Sequence, residues 1–174
     1  DRDILFFQTL DDARMLTRFK EGNAVVIGGG FIALELIMSF AHYGLPTTAV
    51  LRGGHFFSRI LDEESGRRIS AMLATHGVGV RAGVEIRGIA SDGHGKKVFL
   101  SHDEQLACAA IGVGVGLIPN TAFLTKSMVP VNRGVVVDTH LQTSVSDVYA
   151  AGDVAEYYDS RIVQHRLVGT WANA

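Results

Sequence analysis

The sequence predicts a three-layer α/β protein built on a parallel β-sheet. Short apolar runs at residues 24–27, 47–51 and 78–81 alternate with helix-like patterns at 31–43 and 62–77. This β-α-β-α-β order indicates parallel strands, because two parallel neighbours need a crossover of a dozen residues or more, and a helix usually supplies it.

A β-meander is expected to follow. Residues 84–90 and 97–101 alternate between apolar and polar side chains on either side of a turn at 92–95, which is typical of a β-hairpin. A further strand is expected over 106–113, where an apolar run returns the chain to the core.

Beyond residue 113, glycine and proline interrupt the regular patterns. The segment 121–127 is expected to be a short helix or a loop, and residues 134–137 a buried strand. A segment over 143–153 ends in Gly152 and Asp153, which we expect to close another strand.

The composition indicates a globular protein with its own core. Of 174 residues, 47% are hydrophobic and 20% are charged, enough for one domain or for one domain plus part of another. The net charge of −2 argues against nucleic acid as a partner. The single cysteine, Cys108, excludes an internal disulfide, and its apolar surroundings favour a buried side chain over a nucleophile.

The sequence also bears on the cellular location of the protein and on whether the chain is part of a longer one. No stretch has the pattern of a membrane span or a signal peptide, so we expect a cytoplasmic location and no membrane partner. Because the chain starts without Met, we expect it to be a piece of a longer protein. The seven histidines are scattered without metal-ligand spacing, so the sequence predicts no metal site and no catalytic side chain.

The first element in the chain is expected to be a capped connector helix over 10–20. Thr9 precedes it in the position of an N-cap, and Asp11 and Asp12 occupy its first turn. Arg18 and Lys20 lie at its other end, where positive charge stabilises the helix dipole.

A glycine-rich loop between the first core strand and the next helix carries the main functional prediction. It follows the G-x-G-x-x-A pattern of a Rossmann-like dinucleotide site, in which Gly28 makes the tight turn and Gly30 lets a pyrophosphate approach the backbone. Ala33 keeps helix and strand close, and the N–H groups of the helix N-terminus hold phosphate. A glycine-rich turn of any parallel α/β protein is the other interpretation, but the flanking strand and helix favour the dinucleotide. The predicted cofactor-binding residues of this loop are Gly28, Gly29, Gly30, Phe31, Ile32 and Ala33.

The helix after the loop is apolar nearly all round, so we expect it to be buried between the sheet and neighbouring layers. Glu35 is its lone carboxylate and is costly to bury without a partner. It either reaches solvent at an edge or contacts a ligand, and its position one turn past the loop favours the ligand.

The end of the second strand bears on the choice of cofactor. An acidic residue there would bind the adenosine ribose 2′-hydroxyl, whereas an arginine accommodates a 2′-phosphate. The sequence has Leu51 and Arg52 at this place and no acid. Arg52 therefore favours NADPH, or no strong preference, over strict use of NADH, and an ordinary surface cation is an equally weighted alternative.

With these motifs in order, the whole chain resembles the flavin-dependent pyridine nucleotide-disulfide oxidoreductases. The resemblance is to the branch with ferredoxin and rubredoxin reductases, NADH oxidases and the flavin portion of nitrite reductase. The segment 28–35 resembles the family's NAD(P) loop. The segment 111–121, which includes Gly112, resembles its domain-crossing turn, and 143–153 resembles its second flavin motif.

The resemblance implies a division of the chain and further roles. Residues 1–20 would be a connector helix, 21–113 an NAD(P)-binding domain, and 114–174 the returning half of an FAD-binding domain. Asp153, after Gly152, would bind the ribityl hydroxyls of FAD, and Glu35 would meet the nicotinamide end. Trp171 would lie near the flavin ring, although a core aromatic is the other interpretation of this residue.

The resemblance further implies that the full-length enzyme passes hydride from NAD(P)H to FAD. Electrons would go on to ferredoxin, rubredoxin, a nitrite reductase centre or oxygen, and the enzyme could form a homodimer. The piece alone is expected to be inactive, because the family's separate FAD fingerprint and C-terminal dimer domain are not found in this sequence. The alternatives are a non-catalytic dinucleotide-binding module and a fragment of a disulfide reductase of the same architecture.

Overall fold

The computed structural model describes residues 4–91, 93, 95–161 and 163–167. The chain divides into two compact units, residues 1–116 and residues 117–174. Each unit is described by itself.

In its described residues, the first unit has a short 3₁₀ helix at Ser101–Asp103 together with three α-helices and eight strands. They are β1 (Ile4–Leu5), α1 (Leu10–Leu16), β2 (Ala24–Ile27), α2 (Phe31–His42), β3 (Thr47–Leu51), α3 (Glu63–Ala74), β4 (Val78–Ala82), β5 (Ile86–Ser91), β6 (Lys96–Leu100), β7 (Gln105–Cys108) and β8 (Ala110–Val113).

A five-stranded sheet of order β1-β8-β2-β3-β4 forms the centre of this unit, and every neighbouring pair is parallel. Side chains alternate between its two faces. Val26 and Leu51 pack with all three helices on one face, whereas Val25 and Val50 pack on the other face against the antiparallel meander β5-β6-β7. Helices, parallel sheet and meander are the three layers, so the predicted fold class and the predicted hairpin are confirmed.

The prediction that α2 is buried between the sheet and neighbouring layers is wrong for one side of the helix. Phe31 is 70% exposed and Met38 is 38% exposed, and Glu35 and His42 lie on the same exposed stripe. Within the first unit the sheet covers only the opposite side of the helix, where Leu36 and Phe40 are fully buried. Four residues at helical spacing therefore face outward although two of them are large and apolar.

The predicted strand over 106–113 is two strands in two different sheets. β7 pairs with β6 in the meander, and β8 lies between β1 and β2 in the parallel sheet. Asn23 holds the crossing point, since its side-chain amide donates to the carbonyl of Ala107 at 2.7 Å and its own carbonyl accepts from Ala109 at 2.9 Å. A continuous apolar run does not show where a chain leaves one sheet and joins another.

The helix bounds differ at the C-termini. The first helix was expected over 10–20 but ends at Leu16, where Thr17 turns its hydroxyl back onto the carbonyl of Arg14 at 2.8 Å. Its start follows the prediction, because Thr9 and Asp12 form a reciprocal capping box. These hydrogen bonds, chiefly from the backbone N–H groups of Gln8 and Thr9, lower the pKa of Asp12.

The second unit contains a three-stranded sheet of order β11-β10-β9, with β9 (Val135–Val137), β10 (Ala155–Asp159) and β11 (Gln164–Leu167). The prediction that Gly152 and Asp153 close a strand is wrong. Residues 143–151 form turns with one isolated bridge from Tyr149, and Gly152–Val154 form a 3₁₀ helix that leads into β10. The segment turns back on itself around this bridge, with the N–H of Thr143 donating to the carbonyl of Val148 at 2.8 Å and the N–H of Ala150 donating to the carbonyl of Leu141 at 3.0 Å.

A buried carboxylate fastens β10 to the turn before β9. Glu156 is fully buried and accepts hydrogen bonds from the Asn132 side chain at 2.9 Å and from the backbone N–H groups of Arg133 and Gly134 at 2.8 and 2.9 Å. Burial alone would raise the pKa of Glu156, but these hydrogen bonds and the charge of Arg133 outweigh it and lower the pKa.

Candidate dinucleotide-binding site

The glycine loop lies at the carboxyl end of β2, which has β3 on one side and β8 on the other. The chain leaves β2 toward β3 and only later returns to β8, so this is the point where the strand order reverses. Ligands of open parallel sheets bind at such a point.

Gly28 is the position in the loop that requires a glycine. Its φ of +125° is unfavourable for any other residue, and a Cβ there would collide with the carbonyl oxygen of Gly114. Its N–H donates to the carbonyl of Val50 at 2.9 Å, and the N–H of Gly114 donates to the carbonyl of Ile27 at 2.8 Å. The loop is therefore tied to the ends of both neighbouring strands.

Gly30 differs from Gly28, because a Cβ at Gly30 would meet no atom within 4 Å. It is the N-cap of α2, with φ −104°, and no side chain caps the helix there. The N–H groups of the first helical turn, from Phe31, Ile32 and Ala33, therefore have no side-chain acceptor. Open space at Gly30 and uncapped N–H groups are what a phosphate group needs to approach this backbone.

Ala33 packs against Gly114, a residue that no motif of the sequence indicates as part of a site. A Cβ at Gly114 would lie 2.5 Å from the backbone nitrogen of Ala33 and 3.0 Å from its Cβ. Ala33 is fully buried, so both residues must be small for α2 to begin this close to the end of β8. The sequence shows Gly114 only as a glycine directly after an apolar strand. Its contribution to the site becomes predictable only once β8 is known to lie beside β2.

The opposite wall of the site is the loop between β3 and α3. The N–H of Phe57 donates to the carbonyl of Gly29 at 2.8 Å, and the Phe57 ring lies 4.7 Å from the ring of Phe31. Phe57 adopts φ +53°, which is uncommon for an aromatic residue, and this conformation aims its N–H at the glycine loop. The sequence contained no signal for this contact.

The same loop is anchored to α3 by His55. A Cβ at Gly66 would clash with the His55 ring, so the glycine lets the ring lie directly on the helix. The ring nitrogen Nδ1 lies 2.9 Å from the carbonyl oxygen of Phe56, a contact in which it serves as the donor. The loop therefore has one attachment to the glycine loop and another to α3.

These walls enclose a cavity of about 750 Å³, a size usual for small-molecule and cofactor sites. Gly28, Gly29, Gly30 and Phe31 line one side, and the loop after β3 lines the other. Among its described lining residues the charged side chains are Arg52, Arg59 and Glu85. Arg59 was not predicted from the sequence, because it stands eight residues beyond Leu51, the last residue of β3, whereas the motif concerns only the strand end.

The other predicted site residues lie elsewhere. Glu35 is exposed on α2 and does not line the cavity. Gly112 is buried within β8, where a Cβ would lie 3.2 Å from Leu36 and 3.3 Å from Phe40, so this glycine makes room for α2. Gly152 and Asp153 belong to the second unit, and Trp171 lies outside the described residues.

Cys108 is buried in β7, in agreement with its prediction as a core side chain. Burial raises the pKa of the Cys108 thiol to about 11, against a smaller opposing effect of Lys96. At neutral pH the thiol is therefore protonated and unsuited to act as a nucleophile.

The described part of the chain contains no group of three or more histidine, cysteine, aspartate or glutamate side chains that could hold a metal ion. It also contains no helix with the length and apolar character needed to cross a lipid bilayer.

The comparison with protein families decides the class of protein. The model of the family described as pyridine nucleotide-disulphide oxidoreductase matches residues 1–174. The chain belongs to this family. The resemblance is thereby confirmed at the level of the family, whose members are enzymes that use FAD and NAD(P)H.

Individual oxidoreductases of this family are similar to most of the chain. Nitric oxide reductase FlRd-NAD(+) reductase of Citrobacter koseri is 32% identical over 141 residues, which make up 80% of this chain and 37% of that protein. Rubredoxin-NAD(+) reductase of Pseudomonas putida is 29% identical over 155 residues, or 87% of this chain and 40% of that protein. The chain thus spans about two fifths of the length of these relatives.

Solved structures show the same architecture. A ferredoxin reductase from Rhodopseudomonas palustris superposes with a TM-score of 0.88 at 30% identity, covering 97% of this chain and 42% of that one. The water-forming NADH oxidase from Lactobacillus brevis, bound to NADH, has a TM-score of 0.88 at 20% identity, over 99% of this chain and 39% of that one. The second likeness shows the fold alone.

Proposed function

We propose that this chain binds NAD(P)H in the cavity beside the glycine loop and, in the complete enzyme, presents the nicotinamide to FAD for hydride transfer. The observation that carries the proposal is the open backbone at Gly30, which faces the cavity at the start of an uncapped helix. The pyrophosphate would accept hydrogen bonds from the N–H groups of Gly29, Gly30, Phe31 and Ile32.

The two ends of the cofactor are assigned by position. Arg52 follows β3 and lines the cavity, so it would meet the adenosine end. Glu35 stands one turn beyond the loop on the exposed side of α2, and it has no hydrogen-bond or ion-pair partner within the described ranges. Its carboxylate is therefore available to accept a hydrogen bond from the nicotinamide end.

We assign residues 21–113 to the NAD(P)-binding domain, 1–20 to its connector and 114–174 to part of an FAD-binding domain. Asp153 fits a contact with flavin hydroxyls, because its carboxylate is exposed and has no partner among residues 4–91, 93, 95–161 and 163–167. Gly152 beside it has φ +77°, so the chain turns sharply at this point. Trp171 is proposed to lie near the flavin ring.

Flavin, when bound, accepts a hydride and releases electrons singly, so the acceptor of the complete enzyme is proposed to be a small redox protein. The names of two relatives, rubredoxin-NAD(+) reductase and nitric oxide reductase FlRd-NAD(+) reductase, support this choice. The residues of this chain contribute binding and orientation, and none is assigned a proton transfer.

The test is titration of the 174-residue chain with NADH and NADPH, followed by nucleotide fluorescence and by calorimetry. Gly30→Val should weaken both nucleotides at least about tenfold, since a branched side chain would occupy the space needed by the pyrophosphate. Its backbone angles suit valine, so the fold should persist.

The matched control is Gly88→Val in β5. A Cβ at Gly88 also meets nothing within 4 Å, and Gly88 does not line the cavity. The control should bind as the unaltered chain does. Undiminished binding by Gly30→Val would refute the proposed phosphate site.

A further inference from the structure

The hairpin of β10 and β11 in the second unit keeps its negative charge inside and its positive charge outside. Among its described residues, the acidic side chains are those of Glu156 and Asp159, and both are buried. The side chains of Arg161 and Arg166 are 86% and 42% exposed. Within the described part of the hairpin, the charge that meets solvent is therefore positive.

Asp159 holds two of these arginines in place. Its Oδ1 accepts hydrogen bonds from the backbone N–H of Arg161 at 3.0 Å and from the Arg161 Nε at 3.3 Å, and its Oδ2 lies 3.6 Å from a terminal nitrogen of Arg166. These contacts, chiefly the backbone hydrogen bond of Arg161, lower the pKa of Asp159, so the carboxylate is ionised at neutral pH. Two cations beside one anion leave an excess of positive charge.

A third arginine reaches the hairpin from the turn before β9. A terminal nitrogen of Arg133 donates to the carbonyl of His165, next to Arg166, at 2.9 Å. The Arg133 Nε lies 3.7 Å from the buried carboxylate of Glu156, while the rest of the side chain is exposed. We refer to Arg133, Arg161 and Arg166 as the arginine cluster.

The cluster keeps hydrogen-bond donors for a ligand. A guanidinium group carries five N–H donors in a planar fork that matches a carboxylate. Arg161 uses its Nε for Asp159, and its two terminal amino groups have no partner in the described part of the chain. Because Asp159 already restrains this side chain, little conformational entropy is lost when a further carboxylate binds.

The surroundings of the cluster favour a protein as the ligand. The exposed ring of Tyr158 lies 5.5 Å from the exposed ring of His165 on the opposite strand, and Val163 is exposed in the turn between the strands. Arginine and tyrosine are enriched at protein interfaces, where apolar area accompanies the charged groups. The net charge of −2 argues against nucleic acid, which needs a broad basic surface.

The geometry points to a docking surface for the acidic face of another protein, formed by the arginine cluster with Tyr158 and His165. The inference rests on the proposed function for the role of that partner, which would be the electron acceptor of the complete enzyme. The cations would attract the carboxylates of the partner during encounter, and the fixed guanidinium forks would orient it.

The experiment measures binding of two probes to the 174-residue chain by calorimetry, a rubredoxin with an acidic surface and a short poly-L-glutamate peptide. Both should bind, and both affinities should fall as ionic strength rises, because the cluster is exposed. Phosphatidylserine vesicles and duplex DNA are the competing anionic surfaces. Tighter binding to either of them than to rubredoxin would overturn the inference.

Arg161→Gln should weaken the binding of rubredoxin about tenfold, since it removes the most exposed fork of the cluster. Arg161→Lys should weaken it by only about threefold, because lysine keeps the charge but lacks the fork. The matched control is Arg14→Gln in the first unit. Arg14 is also an exposed arginine paired with an aspartate, Asp11, at 3.1 Å, so the control removes the same charge and should bind rubredoxin as the unaltered chain does.

The outcomes separate this inference from the proposed function. Absence of rubredoxin binding, or an equal loss in Arg14→Gln and Arg161→Gln, would overturn the docking surface and leave the proposed dinucleotide site intact. Titration of the unaltered chain with NADPH runs in parallel. Binding of rubredoxin by a chain that binds no dinucleotide would overturn the proposed function and leave the docking surface in place.

Discussion

A side chain at Gly28 would collide with the carbonyl oxygen of Gly114, so the ends of β2 and β8 touch at the candidate site. The contact brings two positions that are far apart in the sequence together on one continuous surface. Ala33 lies against the same place from the start of α2. The local shape of the glycine loop therefore depends on the central sheet being complete.

We expect Gly28→Ala to lower the free energy of unfolding of the first unit by about 2–4 kcal/mol, because alanine would be strained at φ +125° and would press on Gly114. Urea denaturation measures the loss. Gly88→Ala, at a glycine with open space around it, should cost less than about 1 kcal/mol. Similar losses in the two variants would show that the contact with Gly114 is not restrictive.

Glu35 provides a test of the nicotinamide end. Glu35→Gln should weaken NADPH by about tenfold to a hundredfold, the value of one hydrogen bond to a charged group, while adenosine 2′,5′-bisphosphate binds as before. The side chain is exposed and unpaired in the described part of the chain, so stability should change by less than about 0.5 kcal/mol. Equal weakening of both ligands would remove Glu35 from the nicotinamide end.

Glu156 should make the second unit sensitive to acid. Its pKa is lowered from the ordinary value of 4.5 in the folded protein, so its ionised form stabilises the fold fully above that value. The stabilisation is lost as the pH falls below 4.5 and through the folded pKa. Glu156→Gln should lower stability at pH 7 by about 1–3 kcal/mol, and the difference from the unaltered chain should shrink at acidic pH.

Hydrogen exchange of the backbone amides of β9 and β10 measures this change in stability within the second unit. The control is Glu64→Gln, because Glu64 forms an exposed pair with Arg68 on α3. That change should alter stability by less than about 0.5 kcal/mol. A pH-independent difference between Glu156→Gln and the unaltered chain would contradict the role assigned to the carboxylate.

Cys108 should be nearly inert while the protein is folded. With its pKa raised to about 11 by burial, the thiol is almost wholly protonated at pH 8. Alkylation by iodoacetamide should be slower by about a hundredfold or more than in denaturant, where the thiol has its ordinary pKa. A chain with Cys108→Ser and Ser127→Cys, whose cysteine is exposed, should react quickly in both conditions. Rapid alkylation of native Cys108 would contradict its burial.

The sequence predicted those parts of the fold that depend on local patterns. Residues 24–27 and 47–51 became β2 and β3 with the expected bounds, since strands buried on both faces are marked by short apolar runs. Thr9 begins α1 as the predicted N-cap, because capping depends on residues within a single turn.

Contacts between distant segments were not predictable in the same way. The division of 106–113 at Ala109 depends on Asn23, and the site contribution of Gly114 depends on β8 lying beside β2. Arg59 was missed because a motif records fixed spacing, whereas the loop brings this residue back to the cavity through the hydrogen bond of Phe57. Tertiary pairing, and not local preference, determines all three.

The insertion of β8 between β1 and β2 has a consequence for biosynthesis. The neighbours β2, β3 and β4 follow one another closely in the chain and can pair while translation continues. By contrast, β1 and the free edge of β2 can be paired only after β8 has been synthesised. Until residue 114 has left the ribosome, the glycine loop has no partner at Gly28. A nascent chain can therefore form much of its parallel sheet before its candidate dinucleotide-binding site is complete.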